Sequence, residues 1–182
     1  LGLLSDGATW VAVRDTYAAL AASIGLAFVI AVPLGVLIGR VQFAYLSTRF
    51  LVDFLRTVPG LALLPLASLL FGTSLSTQLM IVVPTCVWPL LLQTCYGARD
   101  IDPLLMDVSR MYRLSRPAKT CWVVLASCAE YLATGLRLAI IMGFIATVGT
   151  ELVAGTPGIG LSLANAQAVG ATLDVYAYTL II

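Results

Sequence analysis

Two uncharged runs constrain the fold of this chain more than any other feature. Thr16–Gly39 carries no Asp, Glu, Lys or Arg for 24 residues, and Thr57–Ala98 carries none for 42. About 20 apolar residues in a helix cross the ~30 Å hydrocarbon core of a bilayer. The first run therefore supplies one crossing, at about 17–39, and the second supplies two. The sequence FGTS at Phe71–Ser74 is the natural turn between those two, which places them at about 54–72 and 75–97. A further apolar stretch covers about 131–152, and another begins at about 173. Lipid offers no hydrogen bonds, so crossings of this kind must satisfy their own backbone as helices. The expected fold is all-α: a polytopic transmembrane helix bundle, with residues 1–182 as one domain.

Composition agrees. The chain is 60% hydrophobic and 10% charged, with mean hydropathy +1.02, against about 25% charged residues in soluble domains. There is no histidine, which removes the commonest general base and metal ligand. No pair of acids falls at membrane depth. Cys86, Cys95, Cys121 and Cys128 form no CxxC pair and read as small apolar fillers. No catalytic residue, metal or cofactor is expected, and a net charge of +1 gives no reason to expect nucleic acid.

The one long polar interruption runs from Arg99 to Arg137. Five of the ten basic residues, Arg99, Arg110, Arg113, Arg116 and Lys119, share it with Asp100, Asp102 and Asp107. Asp102 is a good N-cap and Pro103 suits the first helical position, where no backbone donor is needed. Leu104, Leu105, Val108, Met111 and Tyr112 then recur at helical spacing as one apolar stripe, with Asp107, Arg110 and Arg113 pointing away from it. Ser115 can cap a second short helix with Pro117 in its first turn. Such an amphipathic helix either lies on lipid headgroups or meets another protein.

Orientation follows from the excess of basic residues on the inner side of membranes. If Tyr17–Gly39 runs inward, eight of the ten basic residues become cytoplasmic; only Arg14 lies outside, and Arg137 lies within a crossing. The loop 99–129 is then cytoplasmic. Ser5–Gly7 reads as a turn, Trp10 as an interface residue, and Gln42–Arg56 as an interfacial helix or the start of a crossing. Pro59, Pro65, Pro84 and Pro89 predict bent rather than straight crossings. Val153–Gly170, rich in Gly and Ala, reads as a surface loop with a short helix. After Asp174 only eight residues remain, about 12 Å as helix, so the chain is expected to be a segment of a longer one.

Five segments in this order resemble the permease subunit of bacterial ABC importers fed by a binding protein, in the branch handling nitrate, taurine and alkanesulfonates. They are Val32–Arg40 (VPLGVLIGR), Val52–Gly72 (VDFLRTVPGLALLPLASLLFG), Arg99–Arg116 (RDIDPLLMDVSRMYRLSR), Thr134–Ile140 (TGLRLAI) and Gly158–Ala166 (GIGLSLANA). The resemblance implies a type I importer bundle. Its partners would be cytoplasmic ATPase subunits, an extracytoplasmic binding protein, a second permease copy or related permease, and membrane lipid. In that family a loop with Glu-Ala-Ala, then Gly after three residues and later Leu-Pro, docks on the ATPase. The matching positions here are Asp107, Val108 and Ser109, with Arg113 at the glycine and Leu125-Ala126 at the Leu-Pro. The resemblance thus implies ATPase coupling through Asp107, Ser109, Arg110, Arg113, Ser115 and Arg116. Arg113 is not expected to share the turn conformation open to glycine.

Pro59, Pro65 and Gly72 match the family pattern and are expected to shape the pathway wall, their alternative being ordinary kinks. Arg137 costs about 2.5–3.5 kcal/mol at mid-membrane, so it either snorkels to the inner surface or pairs with Glu130. Glu151 and Thr150, near the outer end of the crossing, either face an external cavity or the binding protein, or form a solvated helix end. AGTPGIG at 154–160 lacks the Lys-Ser/Thr of a nucleotide loop. A channel or ion-driven carrier would need buried ionisable residues along its path, and only Arg137 lies well inside a crossing.

Overall fold

The computed structural model describes residues 7–182, and all of its regular structure is helical. The elements are α1 (Gly7–Arg40), α2 (Gln42–Leu55), a 3-10 turn (Gly60–Leu63), α3 (Leu64–Phe71), α4 (Leu75–Arg99), α5 (Pro103–Met111), α6 (Arg116–Lys119), a π-helical stretch (Thr120–Leu125), α7 (Ala129–Ala154), α8 (Ile159–Ala168) and α9 (Thr172–Ile181). Three helices, α1, α4 and α7, are long and apolar enough to cross a membrane; α2 and α3 make a fourth only if counted together. The turn expected at Ser5–Gly7 lies outside the described residues except for Gly7, which is already helical.

The stretch expected as crossing 54–72 is bent by 69° between helices. It is not one helix, because α2 ends at Leu55 and α3 begins at Leu64. Pro59 precedes the 3-10 turn in an extended conformation, and Pro65 sits in the first turn of α3. Both occupy positions where a missing N–H costs nothing, so they set a break rather than a kink. Gly72 closes α3 with φ of 64°. Pro84 and Pro89, by contrast, lie inside α4 without interrupting it.

The described residues fall into two compact units. Unit 1 comprises residues up to Leu26, Val58–Thr85 and Ile140–Ile182. Its core holds Leu64, Ala67 and Ile81, and Tyr17 stacks on Phe144 with ring centres 6.1 Å apart. Much of its interior is polar: Thr9, Thr16, Ser23, Thr77, Gln78, Thr147, Thr150 and Glu151 are all buried. Val153–Gly170 is less superficial than expected, since Ile159, Gly160, Leu163 and Ala166 of α8 are buried.

Unit 2 comprises Ala27–Thr57 and Cys86–Ala139. Ala98, Ile101, Val124 and Cys128 form its core, with Val36, Met106, Val123 and Leu132 packed against them. Helices α1 and α4 approach closely here. A Cβ on Gly39 would come 2.7 Å from the Cys95 carbonyl oxygen and 2.8 Å from the Ala98 Cβ, so only glycine permits this packing.

Candidate functional site

In unit 2 the loop starts as the sequence predicts. Asp102 accepts a hydrogen bond from the Leu104 N–H at 2.8 Å and caps α5. The face that α5 buries is not its apolar stripe. Met106 and Ser109, one turn apart, turn towards the unit: Met106 packs against the core cluster, and Ser109 is buried, its hydroxyl donating to the Met106 carbonyl at 2.7 Å. At about 100° per residue, Leu104, Val108, Met111 and Tyr112 lie on the opposite side. All of them are exposed, Met111 to 82% and Tyr112 to 77%. Leu105 is exposed as well. The stripe therefore has no partner within the described residues.

The other proposed coupling residues divide. Asp107 and Arg110 are exposed and paired with each other at 2.7 Å, a surface contact worth a few tenths of a kcal/mol at most. Ser109, unlike them, is buried on the inner face of α5, its hydroxyl bonded within the helix. Ser115 is exposed, and its carbonyl accepts from the Lys119 N–H. Arg116 opens α6, and its side chain lies outside the described residues.

Arg113 overturns the expectation drawn for it. Its φ is 49°, in the left-handed region, the one such non-glycine among the described residues. Its N–H donates to the Arg110 carbonyl at 2.9 Å, and the Leu114 N–H donates to the Ser109 carbonyl at 3.1 Å. These two bonds make the Schellman closure that glycine normally provides. Arg113 thus adopts the glycine conformation at a steric cost of order 1 kcal/mol.

The approach to the loop is tied to three long elements. Arg99 donates to Gln42 at 3.1 Å and lies 3.9 Å over the ring of Tyr45, both on α2. The Tyr131 hydroxyl of α7 donates to Asp100 at 2.6 Å. Arg40, at the end of α1, reaches the Met106 sulfur at 3.8 Å. After α6 the chain widens into the π-helical stretch Thr120–Leu125, which nothing in the residue pattern announces.

Unit 1 holds a second constellation. Glu151 is fully buried, contrary to both a solvated helix end and an outward-facing group. The Gly160 N–H donates to its Oε2 at 2.9 Å, the Thr16 hydroxyl to the same oxygen at 3.0 Å, and the Gln78 amide to Oε1 at 3.2 Å. Thr16 in turn accepts from the Ile159 N–H at 2.9 Å. The first two N–H groups of α8 are orphans within their own helix, and side chains of α7 and α1 satisfy them. Gly158 has φ of 155°, and a Cβ on it would collide with the Glu151 carboxyl. The AGTPGIG loop is therefore closed around the protein's own carboxylate. Thr9, Thr16 and Ser23 share a seven-residue spacing, the sequence signal that would have found this buried polar face.

Arg137 is exposed and makes no ion pair with Glu130 among the described residues. Among the described residues no three of His, Cys, Asp and Glu gather closely enough to hold a metal ion.

The chain is similar to known proteins. The chain is 31% identical over 150 residues to a nitrate import permease protein of Leptolyngbya laminosa, covering 82% of this chain and 54% of that one. It is 29% identical over 175 residues to a bicarbonate transport system permease protein of Synechococcus elongatus, covering 96% and 63%. Against an aliphatic sulfonates transport permease protein of Escherichia coli, a putative assignment in its own name, it is 31% identical over 116 residues, covering 64% and 44%. The chain spans about half the length of the relatives it matches. Residues 31–182 match the model of the binding-protein-dependent transport system inner membrane components, and the chain, a multi-pass membrane protein, belongs to that family.

Proposed function

We propose that this chain is the membrane-crossing permease of an ATP-driven importer, and that α5 receives the push of a cytoplasmic ATPase subunit. A binding protein on the outer side would deliver the solute, and a second permease copy would complete the pathway. The observation that carries this reading is the exposed apolar stripe of α5, set opposite its buried anchor. A surface that gains nothing from its own fold is suited to an external partner. The ties from Arg99, Asp100 and Arg40 would transmit a displacement of α5 to α1, α2 and α7 as a lever does. Asp107, Arg110, Arg113 and Arg116 would set the register of the partner more than its affinity.

Orientation is supported by charge. Unit 2 contains nine of the ten basic residues and five acids, while unit 1 contains one basic residue and four acids. The basic side of a membrane protein faces the cytoplasm. The relatives are named for nitrate, bicarbonate and sulfonates, so a small oxyanion is the proposed cargo. Pro59, Pro65 and Gly72 would shape the pathway by breaking its wall, and Arg137 would face the inner surface.

The test is cross-linking from a cysteine at Met111 or Asp107 in the assembled, transporting importer. A link to the ATPase subunit, formed in a nucleotide-dependent way, is expected. Active transport with no link from either position, or labelling of those cysteines from outside the cell, overturns the proposal.

A further inference from the structure

In unit 2, the polar side of α2 borders a solvent-accessible cavity, with no residue of the helix buried. Tyr45, Thr48, Arg49, Val52, Asp53 and Arg56 recur at spacings of three and four, which puts them on one helical face. They line a cavity of about 180 Å³ together with Ile38 of α1 and the Leu91–Tyr96 turn of α4. The outward side of α2 is apolar, with Phe43 and Phe50 more than three-quarters exposed. A helix built this way meets lipid with one side and keeps a polar cavity on the other.

The balance of groups at that cavity identifies what it can hold. Asp53 is engaged by Arg56 at 3.2 Å. Arg49 has no hydrogen-bond or ion-pair partner among the described residues, and the Tyr45 and Tyr96 hydroxyls donate no bond there. Thr48 directs its proton to the Ala44 carbonyl at 2.7 Å. Arg99, stacked on Tyr45, adds a further positive charge behind the ring. Donors and positive charge thus exceed acceptors, and the ligand must supply oxygen lone pairs and a negative charge. A guanidinium presents paired donors that match two oxygens of one planar or tetrahedral anion. The apolar wall of Ile38, Val52, Leu91 and Leu92 lowers the local dielectric, which strengthens the attraction, and accommodates a short alkyl substituent.

We infer that this cavity is a binding site for a compact oxyanion, with Arg49 as its principal contact and Arg56 and Tyr96 beside it. The site is argued from its lining alone; identifying its ligand with the transported solute rests on the importer reading above. The same chemistry has two sources, a free oxyanion or the phosphate of a lipid headgroup.

The experiment uses the full chain in a maltoside detergent, which carries no phosphate, and trifluoromethanesulfonate as the probe, read by fluorine NMR line broadening. Saturable broadening is expected. Arg49→Gln should weaken it at least tenfold, Arg49→Lys should keep part of it, and Arg14→Gln should leave it unchanged. Tyr96→Phe, which alters no charge, should weaken it severalfold. Asp53→Asn should tighten binding by freeing Arg56, an outcome that a purely structural role would not produce. If added phosphatidylglycerol displaces the probe, the site stands and lipid is a source; if it does not, the site stands and the free anion is the source. No saturable broadening with the wild-type chain, or broadening unaltered by both Arg49→Gln and Arg56→Gln, overturns the inference. The measurement needs no nucleotide. An importer that fails to transport while binding persists counts against the proposed function alone, and a transporting importer without binding counts against the site alone.

Discussion

Glu151 in unit 1 and the α5 stripe in unit 2 both depart from ordinary partitioning, in opposite directions. One is a carboxylate with no solvent exposure; the other is a run of large apolar side chains left in the open. The carboxylate is surrounded by three donors from α1, α4 and the start of α8. Its chemistry is used up by the fold, and it ties segments that are distant in sequence. The stripe is left exposed, most of all at Met111 and Tyr112, while α5 packs on its unit by the opposite edge through Met106 and Ser109. The Glu151 node, buried and hydrogen-bonded, is thus a place where unit 1 holds itself together. Exposure of apolar surface is what supports the proposal that α5 meets a partner.

The comparison is broken most directly at Glu151. Glu151→Ala removes the acceptor of three buried donors and opens a cavity, and should cost about 3–5 kcal/mol. Glu151→Gln keeps the shape and one acceptor oxygen, and should cost about 1–2 kcal/mol. Thermal unfolding in detergent, followed by circular dichroism, measures both. Equal stability of all three chains would mean that the node ties nothing. Replacing Leu104 and Met111 together by Ser should do the reverse: stability within about 0.5 kcal/mol of the parent, but ATPase binding at least tenfold weaker, read by co-purification at graded subunit concentrations. Unfolding of that double variant would show the stripe to be core after all. Between these lies Asp102→Ala, which removes a single cap from α5 at about 1 kcal/mol; amide exchange at Leu104 and Leu105 should speed up, while that of α7 stays constant.

The long uncharged runs made α1, α4 and α7 legible, because apolar length is a property of the residues themselves. The cap at Asp102-Pro103 and the turn at Phe71–Ser74 were legible for the same reason, being set by neighbours in sequence. The faces of helices were not. Periodicity showed that α5 has an apolar stripe, but which side is buried depends on what the rest of the chain brings to it, and Met106 with Ser109 won that position. Glu151 was misjudged because its three donors come from positions 73 to 135 residues away for the side chains and nine residues on for Gly160. The bend at Arg56–Pro59 was signalled by Pro59, but the prolines did not say which crossing would break, since Pro84 and Pro89 leave α4 continuous.

Arg113 gives the smallest effect and the sharpest discrimination. A side chain in the left-handed region is strained, and glycine there is not. Arg113→Gly gives back, in unfolded-state freedom, about half of what it relieves in strain, so the net gain in stability should be only about 0.5 kcal/mol. The same substitution removes a guanidinium from the end of α5 beside Met111 and Tyr112. If the arginine is kept for its charge at a conformational cost, Arg113→Gly raises the unfolding temperature slightly and weakens ATPase binding. Arg113→Asn, which also tolerates the left-handed region but lacks the charge, should weaken binding to the same degree. Arg113→Lys should retain binding while remaining as strained as the parent. A stability gain with unchanged binding in both uncharged variants would assign Arg113 to the fold alone, and would move the boundary between the self-satisfied and partner-facing parts of the chain to the apolar stripe itself.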